Sequence, residues 1–83
     1  MAEFKVGRIT HYYDKIGVAV LELSDNLAVG DMIRISGHGN EFTQKVDSMQ
    51  VEHESIKEAK KGNMVGLKID QEVKEDDEVF KLE

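Results

Sequence analysis

Phe42-Thr43-Gln44-Lys45-Val46-Asp47-Ser48-Met49-Gln50-Val51 is the stretch whose periodicity governs the reading of the whole chain. Phe42, Gln44 and Val46 share one parity, whereas Met49 and Val51 share the other. A β-strand sends successive side chains to opposite faces, so a single regular strand cannot keep both sets on one side. An extra residue near Asp47-Ser48, a β-bulge, reconciles them within one long strand running from Phe42 to His53. Bulges of this kind belong to sheets that coil strongly or close on themselves.

The same break occurs near the start of the chain. Phe4 and Val6 alternate, then the phase shifts at Gly7-Arg8 before Ile9, which reads as a bulge or bend within a run ending at Tyr13. Asp14-Lys15 forms a turn into Ile16-Gly17-Val18-Ala19-Val20-Leu21-Glu22-Leu23, and Ser24-Asp25-Asn26 forms the next. Ile33 and Ile35 alternate with Arg34 as a half-buried strand requires. Gly37-His38-Gly39-Asn40 reads as an exposed loop. Met64 to Ile69 and Glu78 to Leu82 are two further strands, with an acidic loop from Asp70 to Asp77 between them. Ser55 to Gly62 carries the one helical signal: Ser55 and Glu58 have capping-box spacing, Ile56 and Ala59 share a face, and Gly62 can end the turn. The expectation is an all-β chain forming a single domain over residues 1–83. Its architecture reads as a small closed six-stranded Greek-key-like barrel with one short helical turn. A two-sheet sandwich is the alternative, although such folds run to about 100 residues.

Composition bounds the function. The chain has 83 residues with no cysteine, proline or tryptophan, 40% apolar content and a formal net charge of −6. At this size only about 60% of the unfolded surface is buried on folding, so neither a nucleotide-binding domain nor a deep catalytic cleft fits. The charge is uneven. Residues 1–70 hold 11 acidic and 9 basic groups, and residues 71–83 hold 6 and 2. The bulk of the chain is thus near balance, and a broad basic footprint for nucleic acid is absent from the composition. No apolar run approaches the ~20 residues of a membrane-spanning helix, and Met1-Ala2-Glu3-Phe4-Lys5 lacks the plan of a signal peptide. A cytoplasmic monomer without membrane association is expected.

Catalytic and metal motifs are weak. Gly37-His38-Gly39 begins like a dinucleotide fingerprint but lacks the third glycine and a following helix, so no nucleotide is expected. His11, His38 and His53 are dispersed and match no metal spacing. Glu75-Asp76-Asp77-Glu78 lacks the glycine and terminal glutamate of a calcium loop, and reads as a solvated charge run. None of the four serines and two threonines sits in a nucleophile motif. No enzyme activity, cofactor or metal is expected. The candidates that remain are binding groups. His11-Tyr12-Tyr13 can stack on bases or pack on a partner, with Tyr12 facing away from the other two, so that at least one of the tyrosines is expected to cap the core. Arg34 lies on the polar face of its strand, and Lys57, Lys60 and Lys61 gather around the helical turn.

Two resemblances add to this. Val29-Gly30-Asp31-Met32-Ile33-Arg34-Ile35, Val46 to Val51, and Ala59-Lys60-Lys61-Gly62-Asn63-Met64-Val65-Gly66-Leu67 resemble, in order and spacing, domain II of translational GTPases such as elongation factor Tu. That resemblance implies the translation-protein barrel and places Gln50 and Met64 where those factors line a pocket for aminoacylated adenosine. Thr10-His11-Tyr12-Tyr13, Lys15-Ile16-Gly17-Val18-Ala19, Phe42-Thr43-Gln44 and Ser48-Met49-Gln50 more closely resemble the C-terminal barrel of the collagenase-like peptidase family. The catalytic portion of that family lies in other domains. Together they imply a non-catalytic binding module acting with RNA or a translation-associated partner through His11, Tyr12, Tyr13, Arg34, Gln50, Lys57, Lys60 and Lys61. The alternative is a protein–protein accessory module that binds a separately encoded catalytic subunit, which the acidic balance favours.

Overall fold

A computed structural model describes residues 3–37, 39–52 and 54–82. Ten strands occur among them: β1 (Glu3–Tyr13), β2 (Val18–Leu23), β3 (Leu27–Ala28), β4 (Met32–Gly37), β5 (Asn40–Lys45), β6 (Met49–Val51), β7 (Glu54–Ile56), β8 (Glu58–Ala59), β9 (Met64–Lys68) and β10 (Glu78–Leu82). Eight form one antiparallel sheet in the order β5-β4-β10-β1-β2-β9-β6-β7, and β3 pairs with β8. Laid flat, eight strands would span about 34 Å, and no helix among the described residues could cover one face. The molecule measures 31 × 30 × 20 Å, because the sheet curls and packs one half against the other. Ile9, Leu21, Ile33, Val65, Leu67 and Val79, drawn from both halves, are completely buried in the resulting core.

The long strand β1 makes that curl. Its first part pairs with β10 and its second with β2, with register shifts between Lys5 and Gly7 and between Ile9 and His11. Gly7 pairs on both sides, with Val79 and Leu23. A Cβ there would lie 2.6 Å from the Glu22 carbonyl oxygen, so the close approach of β1 and β2 admits only glycine. The bulge expected at Gly7-Arg8 is therefore present, one residue earlier.

Three sequence-based expectations need correction. The sheet is not a closed six-stranded barrel: its order ends at β5 and β7, and no ladder joins those edges among the described residues. A side chain spans part of the gap instead. Gln44 on β5 donates from Nε2 to the Lys68 carbonyl (2.8 Å) and accepts at Oε1 from the Asp70 N–H (2.9 Å). The break at Asp47-Ser48 is a crossing rather than a bulge, since β5 lies at one edge and β6 beside β9 near the other. Val46 is buried at the crossing and donates its N–H to the Asp31 carbonyl.

The helical turn is absent as well. Glu54–Ile56 pairs with β6, and Glu58–Ala59 with β3. An eight-residue helix would face a costly nucleation step for only about two turns, whereas here strand partners are available on both sides. Ile56 and Ala59 still face inward, as the helical spacing also required, but from two strands separated by a bend. The expected loop Gly37-His38-Gly39-Asn40 is shorter than read, since Gly37 ends β4 and Asn40 begins β5 as a cross-strand pair, and His38 lies outside the described residues.

A candidate docking groove on the outer sheet face

The inward residues of β2 and β9 are Ala19, Leu21, Val65 and Leu67, so alternation turns Val18, Val20, Met64 and Gly66 outward. Val20 and Gln50 both pair with Gly66. With no side chain at that point, the middle of the outer face is recessed. Tyr13 and Ile16 wall one side of the recess, and Gln50, Glu52 and Met64 the other, enclosing a cleft of about 470 Å³. Its rim is apolar and exposed: Ile16 is 63% accessible, Tyr13 48% and Met64 46%. A Cβ built on Gly66 would make only ordinary contacts, 3.6 Å to Val18 Cγ1 and 3.8 Å to the Gln50 carbonyl. Packing therefore does not demand glycine here, and its effect is to leave the groove open.

The rest of the outer face is different in character. Over β4, β10 and the first half of β1 it is laced with ion pairs. Lys5 Nζ meets Glu78 at 2.9 Å, and Arg8 meets Glu22 and Asp76 at 3.6 and 3.2 Å. Arg34 lies over the Phe80 ring, 4.6 Å from its centroid, bridges to Glu41 at 2.9 Å and forks onto the Glu3 carboxylate. Hydrogen bonding from Arg34 holds the Glu3 carboxyl below its ordinary value, and the same bond pushes the guanidinium up. Such a surface satisfies itself, leaving the apolar half without a cover.

The candidate residues separate accordingly. His11 and Tyr13 lie on one face with ring centroids 4.7 Å apart, and Tyr13 joins Gln50 at the groove. Tyr12 points inward and packs on the core, as alternation predicts. Arg34 is committed to two carboxylates and is no free phosphate ligand. Lys57 sits at the bend between β7 and β8, while Lys60 and Lys61 occupy the following turn, so they do not share a helical face. His53, like His38, lies outside the described residues. The acidic run is only partly solvated: Asp77 is buried and accepts from the Lys74 N–H, while Asp76 and Glu78 carry ion pairs. Sequence reading missed Ile16, Val18, Val20 and Gly66, and reached Met64 only through the translation-factor resemblance. The available signal was that Ile16 to Leu21 is apolar at both parities, which means an apolar outer face as well as an inner one.

Comparison with known proteins bears on this geometry. The chain is 38% identical over 81 residues to an uncharacterized protease of Methanocaldococcus jannaschii, covering 96% of this chain and 20% of that protein. It is 29% identical over 80 residues to a collagenase of Porphyromonas gingivalis, covering 94% of this chain and 22% of the collagenase. The chain thus spans about a fifth of the length of the curated relatives it matches. Among solved structures, the C-terminal domain of a Geobacillus thermoleovorans protein assigned to the U32 peptidases superposes with a TM-score of 0.89. That match is 18% identical and covers 95% of this chain and 92% of the other. No family model matches the chain.

Homology therefore runs to one segment of collagenase- and protease-type proteins, and the fold is that of a U32 peptidase C-terminal domain. The reading as domain II of a translational GTPase is overturned by these similarities. The motif behind it reports turn geometry. Gly30 and Gly62 take φ of +99° and +92°, and Asp31 accepts from the Ala28 N–H at 2.9 Å. Any β fold with turns at those two places would place glycine and aspartate there.

Proposed function

We propose that this chain is a non-catalytic accessory domain of a U32-peptidase-type protein, and that its outer-face groove docks on the portion carrying the chemistry. That portion stands on the same polypeptide or on a separate one. The observation that carries the reading is the similarity itself. Nearly the whole chain aligns with only a fifth of proteins described as protease or collagenase, so the bulk of each relative is other sequence. The groove supports it, because an exposed apolar recess beside a self-paired charged face is the anatomy of a docking surface.

The test is a titration of the isotope-labelled domain with the M. jannaschii protease lacking its matching segment, into the high-micromolar range. Saturable shifts at Tyr13, Val18, Gln50, Met64 and Gly66 are expected. Shifts absent from every one of these residues would overturn the proposal. Shifts confined to the Arg34–Glu3–Glu41 face would place docking elsewhere and remove the groove from it.

A further inference from the structure

Glu52 combines two features found together nowhere else in the groove. Its backbone sits at φ +52°, in the left-handed region that side chains other than Gly, Asn and Asp seldom adopt. It lies in the tight connection between Val51 and Glu54, which pair with each other across the hairpin, and such turns favour Asn, Asp or Gly at positive φ. A glutamate is a poor match to that conformation. Strain of this kind, retained where a better-suited residue exists, points to a role for the side chain.

The second feature is charge. Glu52 is the one ionisable acid or base among the described residues lining the groove apart from the Tyr13 phenol. Glu3, Glu22, Glu41, Asp76 and Glu78 all meet a lysine or arginine. Glu52, like the exposed Asp14, Asp47, Glu58 and Glu72, has no cationic partner among the described residues, and it alone of these lines the groove. An uncompensated carboxylate thus stands at the rim of an apolar recess.

We infer that the groove receives a two-part element of a protein partner: an apolar or aromatic side chain seated over Gly66, and an adjacent lysine or arginine against the Glu52 carboxylate. This rests on the docking reading above and specifies the chemistry that the docking surface accepts. Nucleic acid is the wrong occupant on charge. A base stacked on Tyr13 would meet one carboxylate and, among the described lining residues, no lysine or arginine to offset its phosphates.

The probe is a random peptide library on multivalent phage, selected against the wild-type domain and against Glu52→Gln, Gly66→Val and Tyr13→Ser. Thermal melts establish that each variant is folded, with Gly66→Ala as the milder alternative should Gly66→Val melt early. Wild type should enrich an aromatic or large aliphatic residue next to Lys or Arg. Glu52→Gln should keep the apolar preference and lose the basic one, a change of about fivefold in enrichment, the scale of an exposed ion pair. Gly66→Val and Tyr13→Ser should lose both. Enrichment without a basic neighbour, a basic preference that survives Glu52→Gln, or enrichment that survives Gly66→Val overturns the inference. So does retention of a random RNA pool that Gly66→Val abolishes. Loss of the basic preference alone leaves accessory docking standing. Failure to bind the truncated protease, with peptide enrichment intact, would instead overturn the accessory reading and keep the groove chemistry.

Discussion

Replacing Gln44 by leucine should destabilise the domain more than any other single polar substitution on β5, because this side chain stands in for a missing ladder. The amide is 6% exposed and bridges two backbone groups of another strand end, the Lys68 carbonyl at 2.8 Å and the Asp70 N–H at 2.9 Å. Leucine has nearly the same volume, so packing changes little and both backbone groups lose their partner. An orphaned buried group costs about 1–3 kcal/mol. Lys68 and Asp70 themselves lie at the surface, and water reaching either group brings the total to the lower end, about 2–3 kcal/mol. A domain of this length has about 4–12 kcal/mol in all, so the loss is a large fraction. At about 4–8 °C per kcal/mol for this size, the melting temperature should fall by about 10–20 °C.

Gln44→Glu sharpens the test. Ionised, the carboxylate still accepts from the Asp70 N–H but faces the Lys68 carbonyl with no proton to give. Protonated, it donates there and restores both bonds. Its folded-state pKa is thereby raised, so the folded state binds the proton more tightly and stability relative to wild type recovers as pH falls. Melting by circular dichroism at pH 7 and pH 4 reads this directly. A Gln44→Leu melt within about 3 °C of wild type at pH 7 would refute the bridging argument, taking the slope above. A Gln44→Glu deficit that is unchanged or larger at pH 4 would refute its hydrogen-bond basis.

Gly7→Ala should cost about 1–3 kcal/mol by forcing β1 from β2, seen as faster amide exchange at both strands; unchanged protection would mean the close approach is not maintained. Ile33→Asp and Val65→Asp, both at wholly buried positions, should abolish a cooperative melt, since an unpaired buried carboxylate costs several kcal/mol. Glu3 is held below its ordinary value of 4.5 by Arg34, so its contribution is present above that value and lost as pH falls through the lower folded value. The melting difference between wild type and Glu3→Gln should therefore be flat from neutral pH down to that value and shrink below it; a difference that grows in acid contradicts the assignment. Glu52→Asn should stabilise by about 0.5–1 kcal/mol, through relief of a left-handed conformation, and a lower melting temperature would show that the turn is not strained.

Much of the fold was legible because alternation is local physics. Ile33, Ile35, Val65 and Val79 face the core as their parity required, and the bulge in β1 fell within a residue of Gly7-Arg8. What failed needed partners that lie far apart in sequence. A phase break at Asp47-Ser48 looks the same whether the strand bulges or the chain leaves for the other side of the sheet. Ser55 to Gly62 has helical spacing and strand pairing at once, and only β3 and β6 decide between them. Closure failed similarly, because nothing at Gln44 announces that its amide will bridge to Lys68 and Asp70. At the site, Tyr13 and Gln50 were visible as polar or aromatic exceptions. Gly66 was not, since its role is the space it leaves between two other strands.

The groove's energetics set how much it can contribute to docking. Burying a large apolar side chain completely is worth about 1.5–3 kcal/mol, and Tyr13, Ile16 and Met64 are each about half buried already. Covering all three therefore supplies about 2–4 kcal/mol, with roughly 1 kcal/mol more from an exposed pair at Glu52. Bringing two separate molecules together costs about 4 kcal/mol or more in lost freedom, which leaves little net affinity from this surface alone. A covalent link sets an effective concentration in the millimolar range, which still lies about 4 kcal/mol below the 1 M reference and does not by itself keep these contacts formed. Contacts outside the recess must therefore supply the affinity that a saturable high-micromolar titration reads. A small groove with one unpaired carboxylate is thus suited to orienting a partner held by those further contacts, with the charge choosing the register and the apolar recess seating it.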